Sequence, residues 1–94
     1  MKRVKQYKFI EKLKALPFVE ELWLFGSRAR GDNKERSDID LAIVCKENTT
    51  SNDWLTVYDI IEDADTLLNI DLVRFDILSE GKFKDRILNE KVIL

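Results

Sequence analysis

Residues 25–44, Phe25 to Val44, read FGSRARGDNKERSDIDLAIV. A hydrophobic run, VEELWLF over 19–25, enters this stretch, and LAIVC over 41–45 leaves it. Both runs are rich in strand formers, so the sequence predicts two strands, 19–25 and 39–45. The loop between them opens on Gly26-Ser27 and ends at Asp38, with Asp40 just inside the second strand. Alternate side chains on a strand share a face, so Asp38 and Asp40 are expected to point one way and Ile39 the other. Their Cα atoms would lie about 6–7 Å apart from the strand rise alone. Two carboxylates this close resist ionising together, and a hard divalent cation removes that cost. A bare D-x-D is also a common solvated strand edge, so the pair needs company to carry meaning.

The Gly-Ser element supplies it. Gly26 follows the first strand and precedes a short predicted helix, Ser27 to Arg30. Glycine lets the backbone approach a ligand closely, and a helix start offers free N–H groups to phosphate. Ser27 can add a hydroxyl, and Arg28 or Arg30 charge-assisted bonds. A phosphate-gripping turn after one strand and a carboxylate pair opening the next suit a nucleoside triphosphate and its metal ions.

The pattern G-S-x-A-R-G, a short spacer, then S-D-x-D-L reads here as Gly26-Ser27-Arg28-Ala29-Arg30-Gly31, Asp32 to Arg36, and Ser37-Asp38-Ile39-Asp40-Leu41. It resembles the minimal nucleotidyltransferases of the DNA polymerase β-like superfamily. The tight match runs from Gly26 to Leu41, and the order of predicted elements extends it over most of the chain. The resemblance implies an α/β (α+β) nucleotidyltransferase core, a small mixed twisted sheet with helices packed on it. It implies two Mg²⁺ ions held by Asp38, Asp40 and a third carboxylate on a neighbouring strand. Asp71 has the right place for that third carboxylate, with Asp76 the weaker substitute and an exposed strand aspartate the bland alternative. Nucleotide binding would fall to Gly26, Ser27, Arg28, Arg30 and Ser37. The implied reaction is attack of a hydroxyl on the α-phosphorus, moving AMP from ATP and releasing pyrophosphate.

Minimal relatives are commonly paired with all-helical HEPN-domain proteins, as antitoxin with toxin, and some adenylylate a tyrosine of that partner. The resemblance therefore implies a protein adenylyltransferase acting as an antitoxin in a hetero-oligomer. Two alternatives stay open: transfer to a small-molecule hydroxyl, as in the aminoglycoside nucleotidyltransferases, and a non-catalytic antitoxin that neutralises by contact. A template-directed polymerase is disfavoured, because no fingers-like or thumb-like segment is visible.

Composition bounds these readings. Ninety-four residues suggest a single domain, 1–94, with one modest core. The net charge of −2 gives no basic footprint for nucleic acid. The absence of histidine removes histidine-based acid–base and metal chemistry, and the lone Cys45 precludes an internal disulfide. No run is long and apolar enough to span a bilayer and no signal-like segment opens the chain, so a cytoplasmic location is expected.

The remaining elements are read from periodicity. Residues 3–16 form an amphipathic helix with Val4, Tyr7, Ile10 (or Phe9), Leu13 and Leu16 recurring at helical spacing, ended by Pro17. Lys2, Arg3, Lys5, Lys8, Lys12 and Lys14 make its other face basic. A cap at Ser51, Asn52 or Asp53 starts a helix reaching about Leu68, with Asp59, Glu62, Asp63 and Asp65 solvated off its apolar stripe. Residues 70–75 make a third strand with Asp71, Val73 and Phe75 on one face. Ser79 caps a last helix, 80–89, with Phe83, Ile87 and Leu88 apolar. Trp23 belongs to the core, and Val92-Ile93-Leu94 must dock on this chain or on a partner.

Overall fold

The computed structural model describes residues 3–94; Lys2, assigned above to the first helix's basic face, lies outside them. A four-stranded mixed sheet with helices against it forms the fold, as expected. The strands are β1 (Val19–Phe25), β2 (Ile39–Cys45), β3 (Ile70–Arg74) and β4 (Val92–Ile93), in the order β3-β2-β1-β4. β1 runs antiparallel to β2 and β4, and β2 runs parallel to β3. The helices are α1 (Lys8–Lys14), α2 (Ser27–Arg30), α3 (Ser51–Glu62) and α4 (Lys82–Glu90). Among the described residues, no helix is long and apolar enough to cross a membrane.

Strand alternation sorts side chains to two faces. Leu22 and Leu24 of β1 join Ile39, Leu41, Ile43 and Cys45 of β2 on one face, packed with Phe9, Ile10 and Leu13 of α1 and Val57 of α3. Trp23, Phe25 and Ala42 lie on the other, with Phe75 and with Ile87 of α4. Trp23 is core, as expected. Its ring centroid lies 4.7 Å from that of Phe75, and the Lys91 ammonium sits 4.0 Å above it. Burial pushes the Cys45 thiol up to about 11, which makes it an inert core group.

Five local expectations need correction. The first helix is broken: a 3-10 turn covers Val4–Gln6, Tyr7 is extended, and the α-helix proper begins at Lys8. The break is fixed from far along the chain, because the Asp65 carboxylate accepts the N–H groups of Lys8 (3.0 Å) and Phe9 (3.1 Å). Asp65 is therefore a helix cap and not a solvated face residue. Its capture also helps to end α3 at Glu62, well short of Leu68. The Thr66 hydroxyl, accepting the Leu68 N–H, holds a local turn there instead. At the other end of α3 the cap is Thr50, in a reciprocal pair with Asp53. Finally, α4 starts at Lys82 with Gly81 at its cap position, not Ser79.

Asp65→Ala should strip two hydrogen bonds from the α1 terminus and cost about 1–2 kcal/mol. In a domain of this size each kcal/mol lowers the melting temperature by about 4–8 °C. An unchanged thermal melt would mean that water replaces the carboxylate at no cost.

The apolar C-terminus docks on this chain. β4 pairs with β1 through Trp23–Ile93 and Leu24–Val92, and the Leu94 N–H donates to the Leu22 carbonyl at 2.9 Å. That pairing places the end of α4 beside the end of β1, where the loop of interest begins.

Candidate active site

β1 ends where β2 and β3 begin, so one edge of the sheet gathers the Gly26 turn, the start of β2 and the start of β3. Ile39 is fully buried on the α1/α3 face, and Asp40 projects half-buried to the opposite face. Asp71 is the direct partner of Asp40 in the parallel ladder. The ladder thus sets the two carboxyl groups side by side, where they interact directly. Burial first, then that side-chain interaction, then the charges of Asp71 and Asp38 push the Asp40 carboxyl up to about 6, while Arg86 opposes the shift. Asp38 is exposed just ahead of β2 and acts on Asp40 through its charge.

Parallel pairing also separates the two candidates for the third carboxylate. Asp76 lies towards the other end of β2: its Oδ1 accepts the Cys45 N–H, and its carboxylate is gripped by Arg74 at 2.9 Å. Asp71 alone of the two stands beside Asp40. Among the described residues, however, no three Asp, Glu, Cys or His side chains converge as a cation site. The structure sets Asp40 and Asp71 side by side in the ladder and leaves Asp38 just ahead of β2, outside that pair.

Gly26 is buried against this pair, with φ 75° and ψ −159°. That backbone conformation is essentially restricted to glycine. A Cβ at this position would fall on Asp40 Oδ2. The turn and the Asp40 carboxylate are thus packed directly together, and only the missing side chain permits it.

The arginines divide their work. Arg28 turns to the loop's own backbone: Nε and Nη2 donate to the Ser37 carbonyl at 3.0 and 2.8 Å, and Nη2 also donates to the Glu35 carbonyl at 2.9 Å. The Ser37 hydroxyl accepts the Lys34 N–H at 2.9 Å. Arg28 and Ser37 therefore hold the loop that delivers Asp38 to β2. Arg30 meets Glu90 Oε2 at 2.6 Å and Asp32 Oδ2 at 3.1 Å. Ser27 is half-buried at the first position of α2. A groove of about 640 Å³, lined by Tyr7, Arg28, Arg36 and the 64–68 turn among others, opens beside the loop. The three aspartates do not line it.

Sequence reasoning missed Arg86 and Glu90. The Glu90 carboxylate accepts the Gly26 N–H at 3.2 Å and also contacts Arg86 Nε at 3.4 Å. The available signal was modest: two opposite charges four residues apart on a helix usually form a surface pair.

The donor set suits a hard divalent cation. Asp40 and Asp71 offer oxygens only, and the burial and neighbouring charge that raise the Asp40 carboxyl are a cost that a bound cation would relieve.

Comparison with known proteins gives the family and the fold. The family model described as "Polymerase beta, Nucleotidyltransferase" matches residues 7–94. A Sulfolobus solfataricus protein provisionally named as a nucleotidyltransferase has a crystal structure similar to this chain. The two share 30% identity with a TM-score of 0.58, over 92% of this chain and 72% of that one. A crystal structure of a toxin-antitoxin with AMP-PNP has a TM-score of 0.62 at 20% identity, over 90% of this chain and 68% of that one, and shares the fold. No curated protein matches the chain.

Proposed function

The chain belongs to the polymerase β nucleotidyltransferase family, and on that ground we propose that it is a Mg²⁺-dependent transferase of AMP from ATP to a protein hydroxyl. The acceptor we propose is a tyrosine of a helical HEPN-type toxin, which this chain would silence as its antitoxin inside the cell. The observation that carries the chemistry is Asp40, paired with Asp71 across the β2–β3 ladder, lying against the Gly26 turn. The partner reading is supported by similarity in fold to a toxin-antitoxin crystallised with AMP-PNP.

Asp40 and Asp71 would hold the cations, with Asp38 at the mouth of β2 as the further carboxylate. When bound, Mg²⁺ screens the triphosphate, acidifies the attacking hydroxyl and steadies the departing pyrophosphate. Gly26 lets the backbone of the turn come close to the β- and γ-phosphates, and Ser27 offers them a hydroxyl. Arg28 and Ser37 keep the loop and Asp38 in place, and Arg30 supplies positive charge at the rim. No histidine is present to act as a base. A hydroxyl acidified by a bound cation can release its proton to solvent, so the reaction does not depend on a side-chain base.

Label transfer tests this directly. The protein is incubated with Mg²⁺ and ATP labelled at the α- or the γ-phosphate, in lysate of its own organism, beside an Asp38→Asn, Asp40→Asn double variant. A discrete protein band labelled only from the α-phosphate, and lost in the variant, is the expected result. Label in a small molecule would keep the chemistry and change the acceptor. No variant-sensitive label with any nucleotide would leave an antitoxin that works by contact alone.

A further inference from the structure

The Glu90 carboxylate collects an unusual set of donors. The Gly26 amide, the Arg30 guanidinium and the Arg86 guanidinium all reach it, at 3.2, 2.6 and 3.4 Å. A backbone amide and two guanidinium groups converging on one pair of oxygens is the arrangement that recognises a phosphate. The cluster also abuts the carboxylate pair. Gly26 touches Asp40, and the charge of Arg86 is felt at Asp40. Glu90 is the last residue of α4, where a negative charge meets the negative end of the helix dipole. Burial works to raise its carboxyl, but the bonds from Arg30 and Gly26 and the charges of Arg30 and Arg86 hold it below its ordinary range. Glu90 is therefore an anion at neutral pH, and its side chain is only 16% exposed.

We propose that Glu90 is a built-in occupant of the triphosphate subsite. Its carboxylate sits on the Gly26 amide, Arg30 and Arg86, and an incoming nucleoside triphosphate displaces it and takes over these donors. This rests on the nucleotidyltransferase reading above. It adds two residues of α4 to the nucleotide site: Arg86 as a phosphate ligand and Glu90 as the competitor that sets affinity. The exchange keeps an anion opposite Arg30 and Arg86 in both states. Without nucleotide, Arg30 is paired with Glu90 and Asp32, and Arg86 with Glu90. With nucleotide, they face phosphate oxygens, and Glu90 swings out to solvent from the end of its helix.

A plain structural brace makes the opposite prediction, because losing a brace loosens the loop and weakens binding. The test is the Kd for Mg²⁺–AMP-PNP, measured by titration calorimetry on the full chain, for wild type, Glu90→Gln, Glu90→Ala and Arg86→Ala. Circular dichroism on each variant checks that it is folded. Removing a competitor raises the fraction of competent site, so Glu90→Ala is expected to tighten Kd by on the order of tenfold. Glu90→Gln, neutral and able to keep the Gly26 bond, should tighten it less, and Arg86→Ala should weaken it. Tighter binding by Glu90→Ala over a measurable wild-type Kd supports the exchange, as does binding by Glu90→Ala where wild type shows none. An unchanged or weaker Kd in both folded Glu90 variants overturns the exchange and leaves the nucleotidyltransferase reading standing. No binding by any of the four proteins overturns both.

Discussion

Asp40→Asn should melt at a higher temperature than wild type and yet transfer nucleotide far more slowly. The physical cause is the same for both effects. In the folded protein without a cation, the Asp40 carboxyl sits at about 6, raised first by burial and then by the side-chain interaction with Asp71 and the neighbouring charges. In the unfolded chain it returns to the ordinary aspartate value near 4. Between these two values the folded state binds the extra proton. The stabilisation from that proton is complete below about pH 4 and is lost as pH rises through about 6. At pH 7.5 the folded protein therefore carries the whole cost of ionising a crowded pair. Two pH units correspond to about 3 kcal/mol at most, and half-exposure reduces this to roughly 1 kcal/mol. Asparagine has the same shape, can still hydrogen-bond Asp71, and carries no charge.

The variant should thus gain about 4–8 °C at pH 7.5 without divalent cations, and the gain should shrink as the buffer approaches pH 4. Added Mg²⁺ should raise the wild-type melting temperature and leave the variant nearly unmoved, since a cation relieves the charge crowding that the variant lacks. The Mg²⁺ response of the wild type should itself fade below about pH 6, where the proton competes. Transfer should fall by roughly 10²-fold to 10³-fold or more, the scale of losing one preorganised electrostatic contact. Equal melting temperatures at pH 7.5 would contradict the crowding argument, whatever happens to activity.

Gly26→Ala should be the most damaging single methyl group in the chain. Its backbone, at φ 75° and ψ −159°, lies where an alanine costs about 1–3 kcal/mol. The new Cβ also lands on Asp40 Oδ2, so either the turn shifts or Asp40 is driven off Asp71. The total should be about 2–3 kcal/mol, a fall of roughly 10–20 °C in melting temperature, with nucleotide binding lost. Gly31→Ala is the matched control. Gly31 is also left-handed, at φ 86°, but its Cβ would meet nothing within 4 Å. It should cost only the backbone term, about 1 kcal/mol, and keep binding. Indistinguishable melting of the two variants would show that contact with Asp40 is not what makes Gly26 a glycine.

The sequence by itself determined what depends on neighbours along the chain. Period-two alternation placed Ile39 opposite Asp40 and put Leu22 and Leu24 on one face with Trp23 and Phe25 on the other. The Gly-Ser turn between two apolar runs set the loop, and together with S-D-I-D-L it pointed to the family. Tertiary structure decided what depends on segments meeting from far apart. Parallel pairing of β2 with β3 put Asp71 beside Asp40 and sent Asp76 to the other end of the strand. Asp65, 57 residues from Lys8, became its helix cap. Glu90, 64 residues from Gly26, became its hydrogen-bond acceptor once β4 had docked on β1. Arg28, legible as a cation, was claimed by the carbonyls of its own loop. Local periodicity fixes which way a side chain faces, because it follows from backbone geometry alone. What that side chain meets depends on strand register and helix docking, which are set by packing the whole core at once.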